Sequence, residues 1–312
     1  MPLIVDFHTH VFPDPIAKYT PSRGLPTLDR LRKKGRKWFK PVTYSIHASQ
    51  TFLRILPEPF RKPFDQLGTL APVAGLFLES TARDLREAMS ASGIDYAVVI
   101  AHPPSLKNEE LLKICADHPQ FIPVVNIPHG TERPGQVLKN FVSQGAKALK
   151  IHAAMDDDTF DSPRYRALLK AASESQLPVI LHTGCMHSRL LYKNPDHARA
   201  EKFENWFKTY SDVRFVLAHM NLHEPEIALD LGEKYQNVFV DTSWQPSETI
   251  GEAVRRLGAE KVLFGTDWPL VGNNIDIGIS RIRDCIDTGT VTSSDAELIL
   301  GKNAQCLLNL PN

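Results

Sequence analysis

The sequence predicts a (β/α)8 barrel, and two observations carry that prediction. Short β-rich runs alternate with stretches of helical period along most of the 312 residues, and a histidine or an aspartate closes nearly every run. Alternation of strand and helix argues for a parallel sheet wrapped in helices, and eight such strands within roughly 250 residues match the barrel. The runs fall at 3–8, 96–101, 121–127, 148–152, 179–182, 214–219, 238–241 and 262–267. From the second onward most are separated by helical periodicity, as at 162–175 and 224–235. A doubly wound open sheet is the competing architecture, but it normally carries a Gly-rich phosphate turn after its first strand. Here that position holds His8-Thr9-His10-Val11-Phe12-Pro13.

A barrel places its catalytic residues at the C-terminal ends of the strands. His8 and His10 close the first run, His152 the fourth, His182 the fifth, His219 the sixth, Asp241 the seventh and Asp267 the eighth. A shared mouth above a barrel accounts for all of these positions together. Side chains of a strand repeat every second residue, so His8 and His10 leave the same face and can grip one cation. Imidazole suits zinc and related ions. The same alternation sends Ala148, Lys150 and His152 inward while Leu149 and Ile151 face the helices. It likewise groups Ile180 with His182, and Phe215 and Leu217 with His219, on inward rows.

Composition narrows the partners. Thirty-six basic side chains balance thirty-six acidic ones, so no overall field recommends nucleic acid or an anionic membrane. A small-molecule substrate is the expectation. Apolar runs such as Tyr96-Ala97-Val98-Val99-Ile100-Ala101 are far shorter than the roughly 20 residues that cross a bilayer. Asp6 and His8 interrupt the first apolar run where a signal peptide would continue it, and a cytoplasmic enzyme is expected. Cys115, Cys185, Cys285 and Cys306 are scattered, form no C-x-x-C pair, and read as reduced thiols.

One barrel domain is expected over residues 1–312, with one departure from the alternation. Residues 11–72 are Pro-rich and carry Arg30, Arg32, Lys33, Lys34, Arg36, Lys37 and Lys40 close together. A structureless loop of that length is improbable inside a compact domain, so helices forming a lid or an oligomer contact are expected. The basic run reads as a solvated helix face, or else as a device that captures an anionic substrate or partner.

With these residues placed, the chain resembles the amidohydrolase superfamily, in the branch of metal-dependent hydrolases related to aminocarboxymuconate-semialdehyde decarboxylase. The resemblance rests on Asp6-Phe7-His8-Thr9-His10, Leu149-Lys150-Ile151-His152, Val179-Ile180-Leu181-His182-Thr183-Gly184, Val216-Leu217-Ala218-His219, Val238-Phe239-Val240-Asp241-Thr242-Ser243 and Phe264-Gly265-Thr266-Asp267-Trp268-Pro269. It implies a distorted barrel with one divalent ion, usually zinc, held by His8, His10, His182 and Asp267. It also implies His219 as acid/base residue and a homodimer. Lys150 lies close to the place where some binuclear relatives carry a carboxylated lysine bridging two ions; a salt-bridged structural lysine and a substrate contact are its other readings.

Three imidazoles and a carboxylate suit zinc, and coordination lowers the pKa of a bound water from 15.7 to about 7. The leading reading is hydrolysis of a small amide, ester or lactone by a metal-activated water. Asp267 would take that water's proton and pass it to the leaving group, with His219 polarising the carbonyl or orienting the water. Asp241 is expected to fix the tautomer of a histidine, and His152 to meet substrate or support the ligands. The alternative is non-oxidative decarboxylation of an unsaturated or aromatic acid, with Arg54 or Arg61 anchoring a carboxylate. A non-catalytic binding protein on the same scaffold is a third reading, which the intact residue set opposes. Trp268 and Trp244 are candidate pocket walls, Arg189 a candidate carboxylate contact, and Cys185 with His187 a candidate ligand or cavity-lining pair.

Overall fold

The computed structural model describes residues 3–14, 26–68, 75–156, 158–188, 191–272 and 274–310. Eight parallel strands run in chain order around a nearly closed barrel. They are β1 (Val5–Thr9), β2 (Tyr96–Ile100), β3 (Phe121–Val125), β4 (Ala148–Ile151), β5 (Val179–His182), β6 (Phe215–Ala218), β7 (Val238–Asp241) and β8 (Val262–Leu263). All eight coincide with the runs read from the sequence. The seam between β1 and the chain beyond β8 is held by Phe7 N donating to Phe264 O, Asp267 N to His8 O and His10 N to Trp268 O, each at 2.7 Å.

Beyond the strands, α1 (Pro26–Ile55) and α2 (Glu58–Gly68) occupy the insertion. Around the barrel follow α3 (Ala82–Ser92), α4 (Asn108–Asp117), α5 (Pro134–Ser143), α6 (Pro163–Glu174), α7 (Glu204–Thr209), α8 (Pro225–Lys234), α9 (Ser247–Leu257), α10 (Asn274–Asp287), α11 (Ser293–Glu297) and α12 (Asn303–Leu308). Local chemistry sets their ends. Thr81 and Asp84 close a reciprocal capping box at the start of α3, and Gly93 ends it at φ +72°. Ser162 caps α6, with Pro163 in its first turn. Among the described residues no helix is long and apolar enough to cross a membrane.

Two apolar layers hold the barrel. Val5, Phe7, Val98, Ile100, Val124, Ala148, Ile180, Val216, Ala218 and Leu263 fill its interior together with Leu307 and Leu308 of α12. The opposite strand faces, including Val99, Leu149, Ile151 and Leu217, pack on helix residues such as Leu168 and Leu229. Each fully buried aliphatic side chain contributes about 1.5–3 kcal/mol relative to exposure. The alternation expected for β4 and for Ile180 holds.

In β6 it does not. Val216 and Ala218 face the interior and Phe215 and Leu217 the helices, so His219 does not continue an inward row. The backbone reverses instead. His219, Met220, Asn221 and Leu222 take φ of +62°, +43°, +61° and +51°. Left-handed conformations cost about 1–2 kcal/mol for each such residue, and here tertiary contacts hold them. Gln245 Nε2 donates to His219 O, and Asn221 N to Thr183 Oγ1 at 3.1 Å. Gly184, at φ +107°, makes the room: a Cβ there would lie 2.4 Å from Leu222 Cβ.

Two further departures aim site residues. In β1 the register runs from Asp6 opposite Ala97 to Thr9 opposite Val99, three steps against two. The extra residue re-aims the chain after the interior Phe7, so that His8 and His10 both reach the mouth. The eighth run ends as strand at Leu263 rather than extending to 267. Beyond it, side chains replace ladder bonds. Thr242 Oγ1 binds the backbone of Gly265, while Asp6 accepts from Thr266 N at 3.0 Å and from Thr266 Oγ1 at 2.6 Å.

The insertion leans on the barrel through ion pairs. Arg36 meets Glu79 at 3.4 Å and Lys40 meets Asp276 at 3.0 Å, while Arg32 meets Asp14 at 2.7 Å within the insertion itself. Arg30, Lys33, Lys34 and Lys37 are exposed, and no residue of the basic run lines the central cavity. The run is thus a solvated face with two anchors outside the insertion.

Candidate active site and metal centre

A cavity of about 450 Å³ opens above the strand ends, floored by the barrel and roofed by α1 and α2. His8, His10, Lys150, His152, His182, His219 and Asp267 all border it. Its core is a trio. Ligand atoms of His8, His10 and Asp267 lie within 4.8 Å of one another. Asp267 Oδ1 is 3.3 Å from His10 Nε2 and 3.6 Å from His8 Nε2.

The hydrogen bonds fix which ring nitrogens are bare. His8 Nδ1 donates to Asp241 Oδ2 at 2.8 Å. His10 Nδ1 is 3.2 Å from Ile100 O, and a carbonyl oxygen only accepts, so this nitrogen carries the hydrogen. His219 Nδ1 lies 2.7 Å from Ser243 Oγ, whose hydroxyl donates to Asp241 Oδ1 and therefore accepts from the ring. That leaves the Nε2 lone pairs of His10 and His219 open, and that of His8 facing Lys150 Nζ at 3.5 Å. Burial pushes the His8 imidazole down, Lys150 adds to that effect, and burial takes His219 to about 3, so both rings are neutral.

Asp241 integrates this network. Besides His8 and Ser243 Oγ, it accepts from His219 N at 2.9 Å and Ser243 N at 3.0 Å. Burial would raise its carboxyl, but His8 and the other donors outweigh it and hold the group at about 2. Asp267 is also buried, and its carboxyl lies far below the usual range: any positive charge taken up by His219, His10 or His8 favours its ionised form over the burial cost. Trp244 Nε1 donates to Asp267 Oδ2 at 2.7 Å, while Oδ1 has no hydrogen bond.

The donor set fits a divalent cation. Two imidazole Nε2 atoms and an unsatisfied carboxylate oxygen, all buried and converging, repel one another unless a cation lies between them. A second cluster of His8, His219 and Asp241 is equally tight. It is bridged internally by the His8–Asp241 hydrogen bond, so it orients the trio and leaves no open lone pairs on that nitrogen.

The other expected residues fall around this trio. His182 stands outside it, its ring 5.1 Å from His219 and stacked 3.8 Å from His152, and its buried Nε2 has no partner. Lys150 Nζ lies 3.5 Å from His8 Nε2, and burial pushes its amine down to about 8. Trp268 is fully buried in the outer core and does not border the cavity; its carbonyl serves the seam with β1. Arg54 donates to Thr249, Gln245 and Leu222 O, and Arg61 pairs with Glu224 at 3.0 Å; neither borders the cavity. Cys185 borders no ligand atom of the trio, and burial pushes its thiol up to about 12. Arg189 lies outside the described residues.

Sequence reasoning missed several contacts. His102 follows β2 directly and borders the cavity, the same strand-end signal that marked the other histidines. Ser243 and the Trp244 hydrogen bond follow a strand-end aspartate, but nothing in their spacing reveals a partner on β8. Asp65 of α2, which accepts from His187 N at 3.1 Å and meets His223 at 3.4 Å, joins the insertion to two barrel loops.

An eight-stranded parallel barrel with a buried His/His/Asp trio at its mouth defines the class: a TIM-type barrel able to hold a metal. The chain belongs to the amidohydrolase family, whose model matches residues 5–310. No curated protein matches it. Among solved structures it is similar to 5-carboxyvanillate decarboxylase from Sphingomonas paucimobilis, at 13% identity and TM-score 0.65 over 100% of both chains. An amidohydrolase from Burkholderia multivorans with bound zinc has 11% identity and TM-score 0.65, over 99% of this chain and 100% of that one. A probable 2-pyrone-4,6-dicarboxylic acid hydrolase from Acinetobacter baumannii, with citric acid bound, has 13% identity and TM-score 0.60, over 98% and 99%. At such identities these likenesses speak for the fold.

Proposed function

We propose that this protein hydrolyses an amide, ester or lactone with the help of one divalent ion held by His8, His10 and Asp267. The observation that carries the proposal is Asp267 Oδ1, buried, ionised and unbonded, with the Nε2 atoms of His8 and His10 beside it. His182, whose unpartnered Nε2 faces the same cavity, is the fourth donor of the proposal. When bound, such an ion polarises a carbonyl and makes water easier to ionise.

The chain supplies the remaining steps. Asp267 accepts the proton of the attacking water on Oδ1 and delivers it to the leaving group, while Trp244 holds Oδ2 and keeps the carboxylate from rotating. His219 is neutral with its proton on Nδ1, so its Nε2 accepts a hydrogen bond and orients the water. Hydrolysis is favoured over decarboxylation of an unsaturated or aromatic acid because Arg54 and Arg61, the expected carboxylate anchors, are engaged elsewhere.

The test is turnover of lactone, ester and amide panels by protein loaded with zinc or manganese. Activity should disappear on chelation and return with metal. Asp267→Asn should lower kcat by about 10²–10⁴ with the fold intact. Turnover indifferent to chelation and to that substitution would overturn the reading.

A further inference from the structure

The cavity walls carry information the trio does not. Above the polar floor the lining is predominantly apolar, from both barrel loops and insertion helices: Leu53, Phe64, Met186, Leu191, Leu222 and Leu270. Its volume of about 450 Å³ falls within the range of about 300–1,000 Å³ that encloses drug-sized ligands. The charged groups on the described lining are few and of mixed sign: Lys150, Asp267 and Asp65. Lys150 is turned toward His8, within 3.5 Å of its Nε2. Asp65, on α2, borders the same space, where a substrate carboxylate would be repelled.

We infer that the substrate has an uncharged apolar body attached to one reacting carbonyl group, and that a second anionic group on it is selected against. This deepens the hydrolytic reading and rests on it for the identity of the reacting group. The physical basis is burial: each methylene removed from water is worth a roughly fourfold gain in affinity. A carboxylate brought to the same wall must be desolvated without an arginine among the described lining residues.

The test separates the inference from the reaction. Zinc-loaded full-length protein is titrated with neutral ketones that cannot be hydrolysed, from butanone to dodecan-2-one, and with isophthalate, using heat or intrinsic fluorescence. Affinity should rise about fourfold with each added methylene until the cavity is full, with isophthalate binding more weakly than the longer ketones. In Phe64→Ala, a change at a half-exposed position, the longest ketone should lose about three- to tenfold while butanone is unaffected. Affinity independent of chain length, or isophthalate binding tighter than every ketone, overturns the inference on the unaltered protein, whatever the variant does. If the ketones bind as expected and no alkyl lactone, ester or amide is turned over, the hydrolytic reading falls while the substrate class stands.

Discussion

Trp244 donates its indole N–H to Asp267 Oδ2 at 2.7 Å, and the other face of that carboxylate looks toward His8 and His10. A residue on the loop after β7 thereby fixes the rotation of a residue beyond β8. On its own other side the Trp244 ring stacks on His47 of α1, with centroids 4.6 Å apart and planes within 9°. The insertion thus reaches the carboxylate through one aromatic intermediary.

Trp244→Phe keeps the stack and removes the donor. A hydrogen bond to a charged group is worth about 1.5–3 kcal/mol, so metal affinity and kcat should each fall roughly tenfold to hundredfold while KM changes less. Metal titration and steady-state kinetics on the same preparation check this. Unchanged values would show that Asp267 is held by the trio alone.

Asp241→Asn tests the network beneath the ligands. The substitution keeps the shape but removes the charge that holds the His8 tautomer and accepts from His219 N and Ser243. Loss of such orienting partners costs about 10–100-fold in metal affinity. Competition with a chromogenic chelator should show a loss of that size, with the circular dichroism spectrum preserved.

His47 predicts part of the acid sensitivity. Burial, reinforced by Arg281, pushes its imidazole down from 6.5 to about 3. Between those values the unfolded chain binds a proton that the folded chain does not. Stability therefore rises with pH across this window and is lost as the pH falls through it. His47→Phe removes that uptake, and the slope of stability between about pH 4 and pH 6 should decrease by up to about 1.4 kcal/mol per pH unit. Urea unfolding at several pH values measures it; an unaltered slope would mean that His47 titrates alike in both states.

The cysteines should divide by exposure. Cys306 is exposed, whereas Cys115, Cys185 and Cys285 are buried. Burial pushes the Cys115 and Cys185 thiols up to about 12, which suppresses the reactive thiolate. Iodoacetamide on native protein should add a single label, located at Cys306 by mass spectrometry. Labelling of Cys185 at a comparable rate would reopen a ligating role for it.

The sequence by itself determined the barrel and the ring of chemistry around its mouth. Apolar runs of the right length, most of them ending in histidine or aspartate, are local signals, and a parallel barrel is the arrangement that brings such ends together. Strand-end residues could therefore be named before any contact was known. The tertiary structure decided the aim of each side chain. The β1 bulge and the left-handed run at 219–222 override strict alternation; in the latter, the hydrogen bond to Thr183, the one from Gln245 and the space left by Gly184 hold backbone conformations that no local preference favours. It also decided which polar groups were already taken. Arg54 and Arg61 look free in the sequence and are bonded in the fold, while Trp244 looks like a wall and proves to be a donor. Periodicity reports which residues lie on one element; which lone pairs remain open depends on partners far away in the chain, and those meet only when the barrel closes.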